Sequence, residues 1–149
     1  MPPITASVEV DCSADEVFAY ATDPSRFSEW QKGVVGGRMD STGEPQVGDH
    51  CVTTRRIGFA DRPATSELVR FDPPHRWGLR GVDGPIRAVV DVTVVPRSDT
   101  SAHLTIALDL LGHGIGKLLV PLVPLVRREA RREMPVNVAT LKQRLEGPA

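Results

Sequence analysis

Ser13-Ala-Asp-Glu-Val-Phe-Ala-Tyr-Ala-Thr-Asp-Pro-Ser-Arg-Phe-Ser-Glu-Trp30 packs two helix starts into one short stretch, and the fold turns on it. Ser13 is followed three residues later by Glu16, a capping box whose side chains satisfy the free amides of a first turn. A short helix burying Val17, Phe18 and Ala21 is expected from there. Asp23 and Pro24 repeat the signal, a cap followed by proline at the first helical position, so a second short helix is expected to carry Phe27 and Trp30. Helices this short do not stand alone, because most helical stability comes from packing an apolar face on a neighbour.

What flanks them supplies that neighbour. Upstream, Ile4, Ala6, Val8 and Val10 alternate with polar residues, which is the period of a strand with one buried face. Downstream, no helical period occurs between Val34 and Leu111. Six strands are expected, over 34–41, 47–57, 63–72, 76–80, 86–95 and 102–111, separated by turn-rich breaks such as STGEPQVG, DPPH and PRSDTS. Short connections between consecutive strands imply an antiparallel meander. The last two alternate most cleanly, with Ile86, Ala88, Val90, Val92 and Val94 on one face and Ala102, Leu104, Ile106, Leu108 and Leu110 on the other strand's face.

A third helix is expected to cover that face. Leu122, Val126, Ala130, Met134, Val138, Leu141 and Leu145 step by three or four and form an amphipathic stripe, with Arg127, Arg128, Arg131 and Arg132 mostly off it. Pro121 and Pro124 fit best near a first turn, which puts the helix start close to 119–121, and Pro135 predicts a kink in its middle. Gly112, Gly114 and Gly116 just before it are expected to form a flexible approach.

Composition excludes several function classes. The uncharged run from Leu118 to Val126 is less than half of the about 20 residues a membrane helix needs. The N-terminus lacks a basic start with an apolar core, so no secretory signal is expected and the expected location is the cytoplasm. A net charge of -1 gives no field for nucleic acid. Cys12 and Cys51 are not in ligand spacing, and His50, His75, His103 and His113 are scattered, so neither a metal nor another cofactor is expected. GHGIGK at 112–117 lies where a phosphate loop would, but Leu111, Leu118 and Lys117 stand where that motif or the dinucleotide fingerprint needs other residues.

A strand, two capped helices, a six-strand meander and a long C-terminal helix resemble the helix-grip architecture. SADEVFAYATDPSRFSEWQKGV, followed by VGD, FDPPHRWGLR and LKQRLE, resembles the START-like (SRPBCC) superfamily shared with the birch pollen allergen, in its polyketide cyclase/dehydrase-like branch of small bacterial proteins. The resemblance runs from Ile4 to Glu146. It implies an α+β fold, a curved seven-stranded antiparallel sheet around the C-terminal helix, in one START-like domain over 1–149. It also implies a cavity between sheet and helix for a hydrophobic small molecule, lipid or polyketide-like. A polyketide cyclase or dehydratase and a protein-interaction module such as a toxin are the alternatives, and fold alone does not choose. No nucleic acid and no stable membrane insertion are expected; a protein partner or a homodimer is compatible.

The candidate ligand contacts follow from the inward faces: Val69, Phe71, Trp77, Val90, Val92, Leu104 and Ile106 on strands, Trp30 on the second helix, and Leu119, Leu122 and Val126 on the third. Arg55 and Glu67 are the candidate polar contacts. A hairpin turn centred near Phe59 and Ala60 would set Thr53 opposite Glu67 and Arg55 opposite Thr65. Both charges would then point to the apolar side, diagonal to each other, as ligand anchors or as a structural ion pair, whereas another register would put both in water. Each tryptophan is more readily a packing anchor than a ligand platform.

Overall fold

A computed structural model describes residues 2–57, 59–84, 86–112 and 123–147. In chain order it contains β1 (Ile4–Val10), α1 (Ala14–Ala21), a 3-10 turn (Pro24–Arg26), α2 (Phe27–Trp30), β2 (Val34–Met39), β3 (His50–Ile57), β4 (Ala60–Asp72), β5 (Arg76–Gly81), β6 (Ile86–Ser98), β7 (Ser101–Gly112) and α3 (Val123–Glu146). The strands form one antiparallel, curled sheet in the order β1-β7-β6-β5-β4-β3-β2. The expected α+β helix-grip fold is therefore present, with both short helices between β1 and β2. The strand expected from Val47 begins at His50, and β6 and β7 run longer than expected, to Ser98 and Gly112.

The caps act as their residue types dictate. The Ser13 hydroxyl accepts the Glu16 amide at 3.3 Å, and an Asp23 carboxylate oxygen accepts the Ser25 amide at 3.0 Å. Asp23 opens a 3-10 turn with Pro24 at its start, and only then does α2 begin. Tyr20 of α1 donates to Glu29 of α2 at 2.8 Å, which fixes one short helix on the other. Burial, and then Glu29, push the Tyr20 phenol up to about 12.

Concave-face residues pair across the sheet: Ile4, Ala6, Val8 and Val10 of β1 face Leu108, Ile106, Leu104 and Ala102 of β7. β7 in turn sets Leu108, Ile106 and Leu104 against Val90, Val92 and Val94 of β6. At the β2 edge of this face the 3-10 turn comes so close that a Cβ at Gly37 would lie 2.6 Å from the Pro24 carbonyl oxygen.

The helix α3 continues through Pro135. Its C-terminal half is held to β1 and the turn after it by Lys142, which donates to the Glu9 carbonyl at 2.8 Å and to Glu146 at 2.6 Å. Glu146 also accepts the Asp11 amide at 2.8 Å. These two donors hold the Glu146 carboxyl below its usual range. Met134, Val138 and Leu141 are buried on the expected stripe. Its N-terminal end differs from expectation: Val126 is 40% exposed, whereas Arg127 is 2% exposed. Counting back from Leu141 by three or four, the inward row passes through Val138, Met134, Ala130 and Arg127. Arg127 tolerates that position because its guanidinium donates to Asp109 of β7 at 2.9 Å and to the Pro2 carbonyl. The expected helix start at 119–121, and the glycine approach beyond Gly112, lie outside the described residues.

Candidate functional site

Burial along the concave face falls from one end to the other on β3 to β7, whereas on the two outer strands Ile4 of β1 and Val34 of β2 stay buried at the far end. At the end where β1 finishes and β7 begins, Val10, Ala102, Leu104, Val94, Val92, Trp77, Leu68 and Cys51 are buried beneath α1, α2 and the C-terminal half of α3. Towards the other end, the same rows continue as Val90 and Ala88 on β6, Leu108 and Leu110 on β7, and Ser66 on β4, and these are only half-buried. Nearest the β3–β4 turn, Arg55, Arg62 and Ala64 are exposed. Among the described residues the sheet is thus a trough, filled with packed side chains at one end and only half-buried at the other.

Aromatics join the covering helices to the sheet at the packed end. Trp30 of α2 meets Phe27 edge-on at 5.9 Å, and Phe27 meets Trp77 of β5 edge-on at 6.1 Å. Phe18 of α1 lies 6.1 Å from Phe71 of β4. Trp30 and Trp77 are therefore joined through Phe27, and Trp30 sits in the packed layer under α2. Its buried Nε1 has no protein partner among the described residues. Behind Leu68, the buried Cys51 has its thiol pushed up to about 11 by burial and by Asp40, which leaves it a neutral packing group.

The expected Arg55–Glu67 pair does not form. Ile57 pairs with Ala60, so the β3–β4 loop is two residues long, and Thr53 lies opposite Ala64, Arg55 opposite Arg62 and His50 opposite Glu67. Relative to the expected pairing the register is displaced by three residues. An odd displacement moves a strand's side chains to the other face. Arg55 shares the concave face with Cys51 and donates to the Lys32 carbonyl at 3.3 Å, while Glu67 lies on the convex face beside Arg80. A register shift between Leu68 and Arg70 then returns Phe71 to the concave side. It leaves Val69 41% exposed on the convex side, where a Cβ added at Gly78 would touch it at 3.5 Å. Glu67 and Val69 are thus turned away from the trough.

Of the other expected contacts, Trp77, Val92, Leu104 and Ile106 are buried in the floor and Val90 and Phe71 are half-buried. Leu119 and Leu122 lie outside the described residues. The half-buried Ala88, Leu108, Leu110, Ser66 and Thr53 were not singled out from sequence as contacts. Their alternation was visible for β6 and β7, but alternation does not distinguish the filled end of a trough from its open end. A separate, solvent-open groove of about 420 Å³ lies between the outer edge of β1 and α3, lined by Thr5, Ala6, Ser7, Val8, Pro135, Val138, Ala139 and Lys142. It touches none of the expected contacts. Among the described residues no cluster of His, Cys, Asp and Glu is arranged to hold a metal, and no helix is long and apolar enough to cross a membrane.

A curled antiparallel sheet, two short helices after its first strand and a long C-terminal helix along its concave side define a START-like helix-grip protein. The chain belongs to the polyketide cyclase/dehydrase and lipid transport family, whose model matches residues 1–146. Its fold is similar to that of a START superfamily protein from Mycobacterium smegmatis, with 16% identity and a TM-score of 0.78, covering 98% of each chain. It is likewise similar to the Zhui aromatase/cyclase from Streptomyces sp. R1128, with 12% identity and a TM-score of 0.77, covering 97% of this chain and 93% of that one. The di-domain aromatase/cyclase BexL of the BE-7585A biosynthetic pathway matches at 16% identity and a TM-score of 0.76, covering 98% of this chain. The chain spans about half of BexL, 47% of its length. No curated protein matches the chain in sequence.

Proposed function

We propose that this protein binds a hydrophobic small molecule, lipid or polyketide-like, at the open end of the trough, and that residues 1–149 act as one START-like domain in doing so. The observation that carries this reading is the burial gradient. Rows of Val, Leu and Ile that are packed at one end continue, in register, as half-buried apolar residues at the other. Apolar surface left incompletely covered in a concavity gains about 25 cal/mol per Å² when a ligand covers it. Val90, Leu108 and Leu110 would contact the ligand, with Ile106, Val92 and Trp77 beneath. Arg55 and Thr53 at the rim would meet its polar end.

The alternative is a cyclase or dehydratase, which needs a group to donate or accept a proton at the bound chain. The polar residues at described concave-strand positions are Thr53, Arg55, Arg62 and Ser66, without Asp, Glu or His. This chemistry favours binding over acid-base catalysis.

The test is titration with 11-(dansylamino)undecanoic acid, read by dansyl emission, on the wild type and on Val90→Trp and Leu108→Trp. Saturable binding weakened at least tenfold by either tryptophan, with an unchanged far-UV spectrum, is the expected result. Binding unaffected by both substitutions would place the ligand elsewhere and overturn the reading.

A further inference from the structure

The open end of the sheet carries a second feature that the trough does not need. β4 extends past β5: it first pairs with β5 at Ser66, while the hairpin continues back to Ala60, and on the other side β2 and Gly33 accompany β3 as far as Arg56. At about 3.3 Å per residue the tip stands roughly 16 Å beyond Thr65. Phe59 is at that tip and is fully exposed. A fully exposed phenylalanine on a projecting turn gains nothing for the fold, since it buries no surface.

Other apolar side chains share this end. Val82 follows β5, with its amide bonded to the Thr65 carbonyl, and Leu111 lies at the end of β7. Leu125 and Val126 begin α3, and the Arg127–Asp109 pair holds that turn beside the end of β7. All four are exposed. The charges around them are mostly positive. The hairpin has Arg55, Arg56 and Arg62 against Asp61, which pairs with Arg56 at 2.9 Å. Beside it Arg80 and Arg87 stand with Asp83 and with Glu67 opposite Arg80, and Arg128 is exposed on α3 next to Glu129. This basic end belongs to a chain whose net charge is -1.

We propose that this end docks reversibly on an anionic lipid bilayer, with Phe59 inserted among the acyl chains and the arginines on the headgroups. Shape and charge decide for a bilayer over an acidic protein. A lone aromatic on a projecting turn has no need of a matching pocket in a fluid bilayer, and the surrounding arginines complement anionic headgroups. The contact brings the open end of the trough against the membrane, yet it stands whatever the trough holds.

The experiment is co-sedimentation with vesicles of phosphatidylcholine containing about 30% phosphatidylserine, and with pure phosphatidylcholine, at low and high salt. The wild type should partition onto the anionic vesicles only, and high salt should release it. Phe59→Ala should weaken partitioning about tenfold. Arg62→Glu should weaken it by at least fivefold. Val47→Ser, at an exposed valine near the opposite end, should leave it unchanged. In Phe59→Trp, the emission of the new indole should shift to the blue when anionic vesicles are added. Absence of partitioning, equal partitioning on neutral vesicles, or partitioning insensitive to both Phe59→Ala and Arg62→Glu would each overturn the proposal. So would capture by a soluble polyanion such as heparin with no capture by vesicles.

Discussion

Two neighbouring glycines of β2 sit in opposite situations. A Cβ on Gly37 would meet the backbone carbonyl of Pro24, which can move only by displacing the 3-10 turn, whereas a Cβ on Gly36 meets nothing within 4 Å. Gly37→Ala should therefore cost about 1–3 kcal/mol in urea unfolding, the usual range for overpacking. Gly36→Ala should change stability by no more than about 0.5 kcal/mol. Equal effects would mean that the turn is not seated on β2. Cys51 offers a second check at this scale. With the thiol buried and pushed up to about 11, almost none is thiolate at neutral pH, and the thiolate is the reactive form. A disulfide-exchange reagent at pH 8 should leave Cys51 unmodified until denaturant unfolds the chain; rapid labelling of the native protein would contradict its place in the core.

The third helix is anchored at both ends by charged groups, and the two anchors respond differently. At the N-terminal end Arg127 is buried against Asp109, so Asp109→Ala leaves a buried guanidinium without its carboxylate and should cost about 1–3 kcal/mol. The double variant Arg127→Met with Asp109→Ala should recover part of that loss, because no buried charge then lacks a partner. Additive losses in a denaturation cycle would show that the two side chains do not act together. At the C-terminal end the Glu146 carboxyl is held below its usual range by Lys142 and the Asp11 amide. A carboxylate whose pKa is depressed by folding stabilises the fold above its unfolded pKa, about 4.3, and loses that contribution as pH falls through the depressed value. Wild type should accordingly have the higher melting temperature than Glu146→Gln at pH 7. The gap should narrow as the pH falls below about 4; a gap independent of pH would remove the charge from the explanation.

Across the whole molecule, the trough assigns stability to one end and binding to the other. Leu104→Ala, at a fully buried position, should cost about 2–5 kcal/mol while leaving affinity for the dansyl probe within about twofold. Val90→Trp should do the reverse, weakening the probe with little change in the unfolding midpoint. Loss of probe binding in Leu104→Ala at temperatures where it remains folded would merge the two ends. Much of this architecture was legible in the residues. The caps at Ser13 and Asp23, the alternation of β1, β6 and β7 and the stripe from Ala130 to Leu145 are local patterns, and each marks an element because backbone geometry repeats over a few residues. Which side chains meet was not legible in the same way. The two-residue loop displaced β3 against β4 by an odd step and put Arg55 and Glu67 on opposite faces, and the irregularity after Leu68 turned Val69 outward and Phe71 inward. Arg127 took an inward position that its composition argued against, because Asp109 and the Pro2 carbonyl, both far away in sequence, were there to receive it. The sequence by itself determined the elements and their order, since those follow from local periodicity and capping; only the tertiary structure decided register, the filled and open ends of the trough and the place of each charge, since those depend on pairings between residues distant in the chain.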